Sequence, residues 1–258
     1  MNRSVMAVLL AGLCFGWTTA QAGDWDNASL AEVQQGAEQG DAPAQFELGV
    51  KYSFGQGVAQ DYRQAAIWFR KAAEQGVPEA QYNLGLSYAN GQGVTQDYNQ
   101  ALIWYLKAAE QGHISAHFNI AMMYTKGNGV AQDYRRATDW LRKTAELGDA
   151  QAQYNLGVAY DQGQGVAQDY KQAVTWFRKA AEQGYISAQY NLGVMYANGN
   201  GVAQNYKLAY VWHSVAAANG DTDAPTQRDI VAKKLTTAVL ADAQALAGQY
   251  FEKYQPQS

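Results

Sequence analysis

The stretch Ala80-Gln81-Tyr82-Asn83-Leu84-Gly85-Leu86-Ser87-Tyr88, followed by Gly91-Gln92-Gly93-Val94 and by Trp104, decides the fold of this chain. Its tryptophan recurs every 36 residues, at Trp68, Trp104, Trp140, Trp176 and Trp212. A tyrosine, a Gly-x-Gly-Val segment and a closing glycine recur with it in five units: 41–76, 77–112, 113–148, 149–184 and 185–220. A large, rare residue on a fixed period of this size is the signature of a stacked repeat array.

Each unit is predicted to contain two helices separated by a glycine turn. In the second unit Ala80, Leu84 and Tyr88 are four residues apart, which places them on one face of a first helix. A second helix over 98–110 carries its aromatic and alanine side chains on one stripe. No single helix pair can bury this much apolar surface, so neighbouring units must supply the missing partner surface.

The motif of the second unit closely resembles the Sel-one-like repeat family, the longer relative of the tetratricopeptide repeat. The resemblance covers 41–220 and recurs in all five units, although the third has Ile120-Ala121 where the others have Leu-Gly. It implies an all-α fold, a right-handed alpha-alpha superhelix of helix-turn-helix repeats whose first helices line the concave side. It also implies adaptor work, the holding of proteins or peptides, often in bacterial envelopes or at host contacts.

The ends of the chain depart from the repeat. Residues 1–22 are predicted to be a secretory signal, because Arg3 precedes an apolar run and the small-x-small site Ala20-Gln21-Ala22. The alternatives are an N-terminal membrane anchor, for which the run is short, and a lipoprotein anchor at Cys14. We predict an N-terminal capping helix in 23–40 and C-terminal capping helices in 221–258, the latter over 225–234 and 237–253. We expect an exported protein, periplasmic or secreted.

Composition restricts the classes of partner. Removal of the signal deletes Arg3, which leaves 19 − 1 = 18 basic against 23 acidic residues, a net charge of −5. This argues against nucleic acid, which requires a basic surface. No stretch after residue 22 is apolar enough to span a bilayer. A protein or an extended peptide is therefore the expected partner.

No catalytic, cofactor or metal site is predicted from the residues. The Gly-x-Gly segments follow no strand pattern, so they are interpreted as turns rather than phosphate loops. His113 and His117 are four residues apart, but they lack the glutamate of a zinc-protease motif and a third ligand nearby. An aspartate stands at the start of the second helix in four units, where a helix-capping carboxylate is expected: Asp61, Asp97, Asp133 and Asp169. The fifth unit has Asn205 in this position, which can cap a helix but cannot serve as an acid catalyst.

A non-enzymatic scaffold that binds another protein or peptide is the predicted function, and two alternatives to it stay open. Some cysteine-rich members of the resembled family have been linked to β-lactam binding or hydrolysis, with a cysteine pair in each repeat. A cell-wall or β-lactam-acting hydrolase is therefore the alternative, but cleavage after Ala22 removes the only cysteine, Cys14. An effector released to act on a host is a third possibility.

The predicted partner-binding face lies on the first helices, on the arc opposite the packed residues. Four units place an asparagine in one column of this arc, and an amide both donates and accepts hydrogen bonds. Such a row is expected to hold the backbone of an extended peptide; the alternative is that the asparagines bridge neighbouring helices. The candidate residues are Glu47, Lys51, Asn83, Asn119, Met123, Asn155, Asn191 and Met195.

Overall fold

The computed structural model describes residue 25 and residues 28–256. The predicted secretory signal, 1–22, lies outside the described residues. All regular secondary structure within the described part is helical apart from turns, as the repeat pattern predicts. The helices are α1 (Leu30–Glu38), α2 (Ala42–Phe54), α3 (Tyr62–Glu74), α4 (Pro78–Asn90), α5 (Tyr98–Glu110), α6 (Ile114–Lys126), α7 (Tyr134–Glu146), α8 (Ala150–Gln162), α9 (Tyr170–Glu182), α10 (Ile186–Asn198), α11 (Tyr206–Ala218), α12 (Ala224–Ala232) and α13 (Thr237–Lys253).

The helices form two compact halves, one running to Asp133 and the other starting at Tyr134. In the N-terminal half each helix from α1 to α5 packs on the next helix in the chain. In the C-terminal half the same holds from α7 to α11, and α11 also contacts both α12 and α13. The first helix of a unit therefore lies between two second helices, as α4 does between α3 and α5.

Side-chain caps begin the second helices α3, α5, α9 and α11, and glycines end the first helix of each unit. The Asp97 carboxylate accepts hydrogen bonds from the backbone N–H groups of Asn99 and Gln100, at 2.9 and 3.1 Å. Asn205 caps α11 in the same way, through Leu208 N. These contacts confirm the interpretation of this column as helix caps. At the other end of α4, Gly91 has a φ of 68°, a left-handed conformation that glycine adopts without strain.

A glycine in the first helix lets an aromatic ring of the second helix approach closely. A Cβ atom at Gly85 would lie only 2.6 Å from two ring carbons of Tyr105, which is fully buried. Gly157 stands in the same relation to Phe177. The third unit has no aromatic residue in this second-helix column, and it is the unit with an alanine in place of the glycine.

The periodic tryptophans are packed to different degrees. Trp104, Trp176 and Trp212 are buried, whereas Trp68 and Trp140 are partly exposed. In each of the first four units the lysine three residues later places its ammonium over the indole, at 3.7 to 4.7 Å from the ring centroid: Lys71, Lys107, Lys143 and Lys179. The fifth unit has Val215 at that position.

Candidate functional site

The asparagine column lies half-buried on the first helices of both halves. Asn83 on α4 and Asn119 on α6 belong to the N-terminal half, and Asn155 on α8 and Asn191 on α10 to the C-terminal half. Glu47 on α2 occupies the same column at the front of the N-terminal half. Although the four amides share a column, they make two different sets of hydrogen bonds.

Asn119 and Asn191 are engaged with buried tyrosines. Burial raises the pKa of Tyr82, and hydrogen bonds with Asn119 and Ser115 partly offset that rise. Asn119 also interacts with Tyr105, whose pKa is raised chiefly by burial. In the C-terminal half the Asn191 amide bonds the Tyr154 hydroxyl in the same way. Each of these two asparagines therefore faces a tyrosine of the preceding first helix, which is the arrangement expected if it bridges neighbouring helices.

Asn83 and Asn155 turn instead to their own helices. Asn83 Nδ2 donates to the carbonyl of Glu79 at 2.9 Å, and Asn155 Nδ2 donates to the carbonyl of Gln151 at 2.7 Å. In the unit before each of them the tyrosine column holds phenylalanine, which has no hydroxyl to offer. Within the described residues, the side-chain oxygen Oδ1 and the second N–H of each amide thus have no protein partner.

The remaining candidates of the first-helix face are not freely available. Lys51 is 9% exposed, and its ammonium lies 3.0 Å from a carboxylate oxygen of Glu47, one helical turn away. Met123 and Met195 are 5% and 3% exposed, so they lie in the interior rather than on an adaptable surface patch. The physical reason is that a first helix packs on two neighbours, which buries a wider arc than a single contact would.

Aromatic residues outside the shared columns offer little further contact surface. Phe54, at the end of α2, is 59% exposed and is the most exposed large apolar side chain of the described residues. Tyr185 is partly buried, with its ring 5.0 Å from that of Tyr154. Of these two aromatic side chains, only Phe54 is open to a partner.

The histidines have packing roles. His113 Nδ1 accepts a hydrogen bond from Ala116 N at 3.3 Å and caps α6, while its ring stacks on Tyr82 at 4.4 Å. His117 Nε2 lies 3.0 Å from the carbonyl of Ala109. Across residue 25 and residues 28–256, no group of three or more His, Cys, Asp or Glu side chains is placed to hold a metal ion.

The Gly-x-Gly segments form the turns between the two helices of a unit. Gly93 has a φ of 74°, and a Cβ atom there would overlap the backbone carbonyl of Tyr62 in the preceding unit. Gly165 and Gly201 approach Tyr134 and Tyr170 in the same manner. The glycines are therefore needed for close packing between units, which accounts for their recurrence without a phosphate-binding role.

No helix in the part of the chain that the structure describes is long and apolar enough to cross a membrane. This finding concerns the repeats and the helices that flank them. It agrees with the composition of the sequence after residue 22, in which no sufficiently long apolar stretch occurs.

Similar proteins of known structure include two that are more than 30% identical to this chain. A Sel1 repeat protein from Oxalobacter formigenes is 33% identical, with a TM-score of 0.73, over 85% of this chain and 92% of that one. A protective antigen present in uropathogenic Escherichia coli strains, which displays an SLR fold, is 36% identical with a TM-score of 0.57. That match covers 86% of this chain and 56% of the antigen.

A curated relative has a stated binding partner. The secretory immunoglobulin A-binding protein EsiB of Escherichia coli O6:H1 is 45% identical over 72 residues. The match spans 28% of this chain and only 14% of the length of EsiB.

The family model of the Sel1 repeat matches this chain five times in tandem, at 42–77, 78–113, 114–149, 150–185 and 186–221. These matches begin one residue later than the units read from the tryptophan period. Together with the helical architecture and the similar structures, they confirm an all-α helical repeat solenoid. The chain belongs to the Sel1 repeat family.

Proposed function

We propose that this chain is an exported, non-enzymatic scaffold that binds an extended segment of another protein on its first-helix faces. The observation that carries the proposal is the pair of half-exposed amides, Asn83 and Asn155, whose carbonyl oxygens have no partner among the described residues. Both stand on helices fixed by neighbours on two sides, so their positions are set before a partner arrives. A preorganised polar group loses little entropy on binding.

The chemistry of an amide suits a peptide backbone. Each of these two side chains can accept a hydrogen bond from a backbone N–H and donate one to a backbone carbonyl. One such bond contributes about 0.5–1.5 kcal/mol, so each amide orients a segment bound on its own half of the chain rather than supplies its affinity. Apolar contacts must supply the remainder, and the exposed Phe54 beside the first helix of unit one is the best-placed side chain for them.

Two relationships support a protein as the partner. The chain is a Sel1 repeat scaffold, a class of helical array that generally takes part in protein interactions. The name of EsiB states that it binds secretory immunoglobulin A, and this chain matches part of that protein at 45% identity. We therefore propose a protein partner, without transferring the immunoglobulin itself from so short a match.

The test compares variants that differ only in the proposed face. The double variant Asn83→Ala/Asn155→Ala is expected to lose most of the protein captured from an envelope extract, as measured by quantitative mass spectrometry. Its melting temperature should stay within a few degrees of the original, because neither amide bonds another helix. Asn99→Ala is the matched control, since its exposed side chain lies on the second helix. Equal capture by both variants would contradict the proposal.

Export is proposed on the predicted secretory signal and is tested separately. Cells that produce the full chain are fractionated into cytoplasm, periplasm and medium, and the protein is detected by immunoblotting. Accumulation outside the cytoplasm, with loss of residues 1–22 by intact-mass measurement, is the expected result. A chain that stays in the cytoplasm at full mass would refute export while leaving the binding proposal standing.

A further inference from the structure

A row of glutamine hydrogen bonds ties units one, two and four to the closing glycine before each of them, whereas unit three has Leu147 at this position. The glutamine that ends a second helix donates both to a glutamine of its own first helix and to the closing glycine carbonyl one unit earlier. Gln111 Nε2, for example, lies 2.8 Å from Gln81 Oε1 and 3.0 Å from Gly76 O. The same pairs of bonds are made by Gln75 in unit one and by Gln183 in unit four.

The row changes at its last member. Unit five ends its second helix with Asn219, which is one methylene shorter than glutamine. Asn219 Nδ2 still donates to Gln189 Oε1, at 2.9 Å, but its other contact, at 3.4 Å, is the carbonyl of Tyr254 instead of Gly184. Gln189, which is fully buried, also donates to that carbonyl, at 2.9 Å. Two side-chain amides thus converge on one backbone oxygen.

The segment that supplies this oxygen follows α13, and we call residues Tyr254–Pro256 the strap. Its tyrosine ring stacks on Trp212, with centroids 5.6 Å apart and planes inclined by 25°. Trp212 is the one periodic tryptophan without a lysine three residues later, and the Tyr254 ring packs on its indole instead. Tyr250, in the last turn of α13, meets the same indole edge-on at 5.3 Å.

The strap also covers a glycine that is open in every other unit. A Cβ atom at Gly184 would lie 2.5 Å from the carbonyl oxygen of Gln255 and from Cα of Pro256. No atom lies within 4 Å of the corresponding point at the other closing glycines: Gly40, Gly76, Gly112, Gly148 and Gly220. The space beside Gly184, at the start of unit five, is therefore occupied by the strap, whereas the same space beside the other closing glycines is empty.

We propose that this edge is a binding site for extended Tyr-x-Pro segments and that the strap is its resident, exchangeable occupant. The site consists of Gly184, Gln189, Trp212 and Asn219. Trp212 recognises the tyrosine ring by stacking, and Gln189 and Asn219 donate hydrogen bonds to the tyrosine carbonyl. The two following residues fit beside Gly184 because glycine has no side chain to obstruct them. Proline suits the third position because it brings no N–H that would need a partner.

The strap detaches without unfolding the units beneath it. It lies outside any helix, and its contacts with the repeats are the stack of Tyr254 on Trp212, two hydrogen bonds to one carbonyl and the approach to Gly184; the other contacts of Tyr254 are with α13 itself. Segments with so few buried contacts open at free energies well below that of global unfolding. The site shares no residue with the first-helix asparagines, so failure of either proposal leaves the other intact.

The test uses the full chain and a labelled peptide, Glu-Lys-Tyr-Gln-Pro-Gln-Ser, which repeats residues 252–258. In the full chain the strap competes with the peptide, so removing its ring by Tyr254→Ala is expected to tighten peptide binding at least tenfold in fluorescence anisotropy. Tyr170→Ala, another partly exposed tyrosine, is the matched control and should bind the peptide no better than the original chain. Equal, weak binding by all three proteins would overturn the proposal.

A second variant checks the role of Asn219. In the chain with Tyr254→Ala, the added change Asn219→Gln restores the side chain that reaches the glycine carbonyl in units one, two and four. We expect it to abolish the gain in peptide affinity, because the amide then bonds Gly184 O instead of the peptide. Retention of the full gain would refute the assignment of Asn219 to the site.

Hydrogen exchange tests detachment even if the variants fold poorly. The Tyr254 N–H bonds the carbonyl of Tyr250 in the original chain. If the strap opens locally, this amide should exchange at least a hundredfold faster than the central amides of α11. Exchange of both at the same rate would mean that the strap leaves only when the unit unfolds, which would overturn the proposal of an exchangeable occupant.

Discussion

The change Gly85→Ala tests whether the repeats depend on glycine for space rather than for flexibility. A Cβ atom at this position would lie 2.6 Å from both Cδ1 and Cε1 of Tyr105 and 3.3 Å from the carbonyl oxygen of Ala101. Favourable carbon–carbon contacts lie at about 3.5–4.0 Å, so the ring would have to retreat by about 1 Å. Tyr105 is 2% exposed and has no room to move.

Two opposing effects set the magnitude. Overpacking of a core costs about 1–3 kcal/mol, whereas replacing a helical glycine by alanine recovers up to about 1 kcal/mol of helix propensity. We therefore expect a net loss of about 1–2 kcal/mol in the free energy of unfolding. Gly248→Ala is the matched control, because Gly248 is an exposed helical glycine with no atom within 4 Å of the added Cβ. It should gain about 0.5–1 kcal/mol.

Urea unfolding followed by circular dichroism measures both variants, with the slope m checked for a change in cooperativity. The double variant Gly85→Ala/Tyr105→Leu reproduces the pair of residue types that unit three carries at these two columns. A double-mutant cycle should give a favourable coupling of about 1–3 kcal/mol between the two changes. If Gly85→Ala stabilises the protein as Gly248→Ala does, the close approach of ring and glycine does not constrain the fold.

Three further predictions concern other buried groups. Burial lowers the pKa of His213 and of His113 from 6.5 to about 4. Between these two pH values both histidines are protonated in the unfolded chain and neutral in the folded chain. The contribution of these histidines to the free energy of unfolding should therefore be constant above about pH 6.5 and fall between pH 6.5 and pH 4, by about 3 kcal/mol for each histidine. In urea titrations, His213→Phe should remove the part of this fall that belongs to His213. Asn119→Ala should cost about 0.5–1.5 kcal/mol, more than Asn83→Ala, because it removes one of the two side chains that bond the Tyr82 hydroxyl; equal melting temperatures would exclude the bridging role. Trp104→Ala should cost about 3–5 kcal/mol in the same assay, and a loss below about 1 kcal/mol would show that the indole is not part of the core.

The sequence was sufficient for the features that repeat. The spacing of Trp104 and its counterparts predicted helical pairs of 36 residues, and the family model matches the chain at that period. The helices predicted over 225–234 and 237–253 lie at Ala224–Ala232 and Thr237–Lys253. Capping by Asp97 was predictable because a side chain bonds the N–H groups two and three residues later, which requires no knowledge of other units.

The first-helix face was less predictable because its exposure depends on partners that the helix itself does not reveal. Plotting α4 or α6 at a fixed angle per residue separates one buried arc from one open arc. Helices α2 and α10 each contact the helix before and the helix after them, so Lys51 and Met195, in one column of the open arc, are buried as well. A helical-wheel plot of one first helix does not show that a second helix of the adjacent unit packs on its other side.

The division among the asparagines did have a sequence signal, which lies one unit before each of them. Tyr82 precedes Asn119 and Tyr154 precedes Asn191, whereas Phe46 and Phe118 precede Asn83 and Asn155. The difference is one oxygen atom, and it decides whether the amide is used for packing or remains available. Comparing columns between units, rather than within one helix, would have separated the two classes.

The same comparison explains how one repeat can serve two purposes in this chain. Where neighbouring columns match, as with Gln81 and Gln111, the polar atoms satisfy each other and the unit presents little to a partner. Where one column departs from its pattern, as at Asn219, a donor is left over and another segment fills it. Because a buried polar group without a partner costs about 1–3 kcal/mol, a segment that pairs with such a departure gains stability from it. Irregularities in an otherwise regular array are therefore the places to look for its ligands.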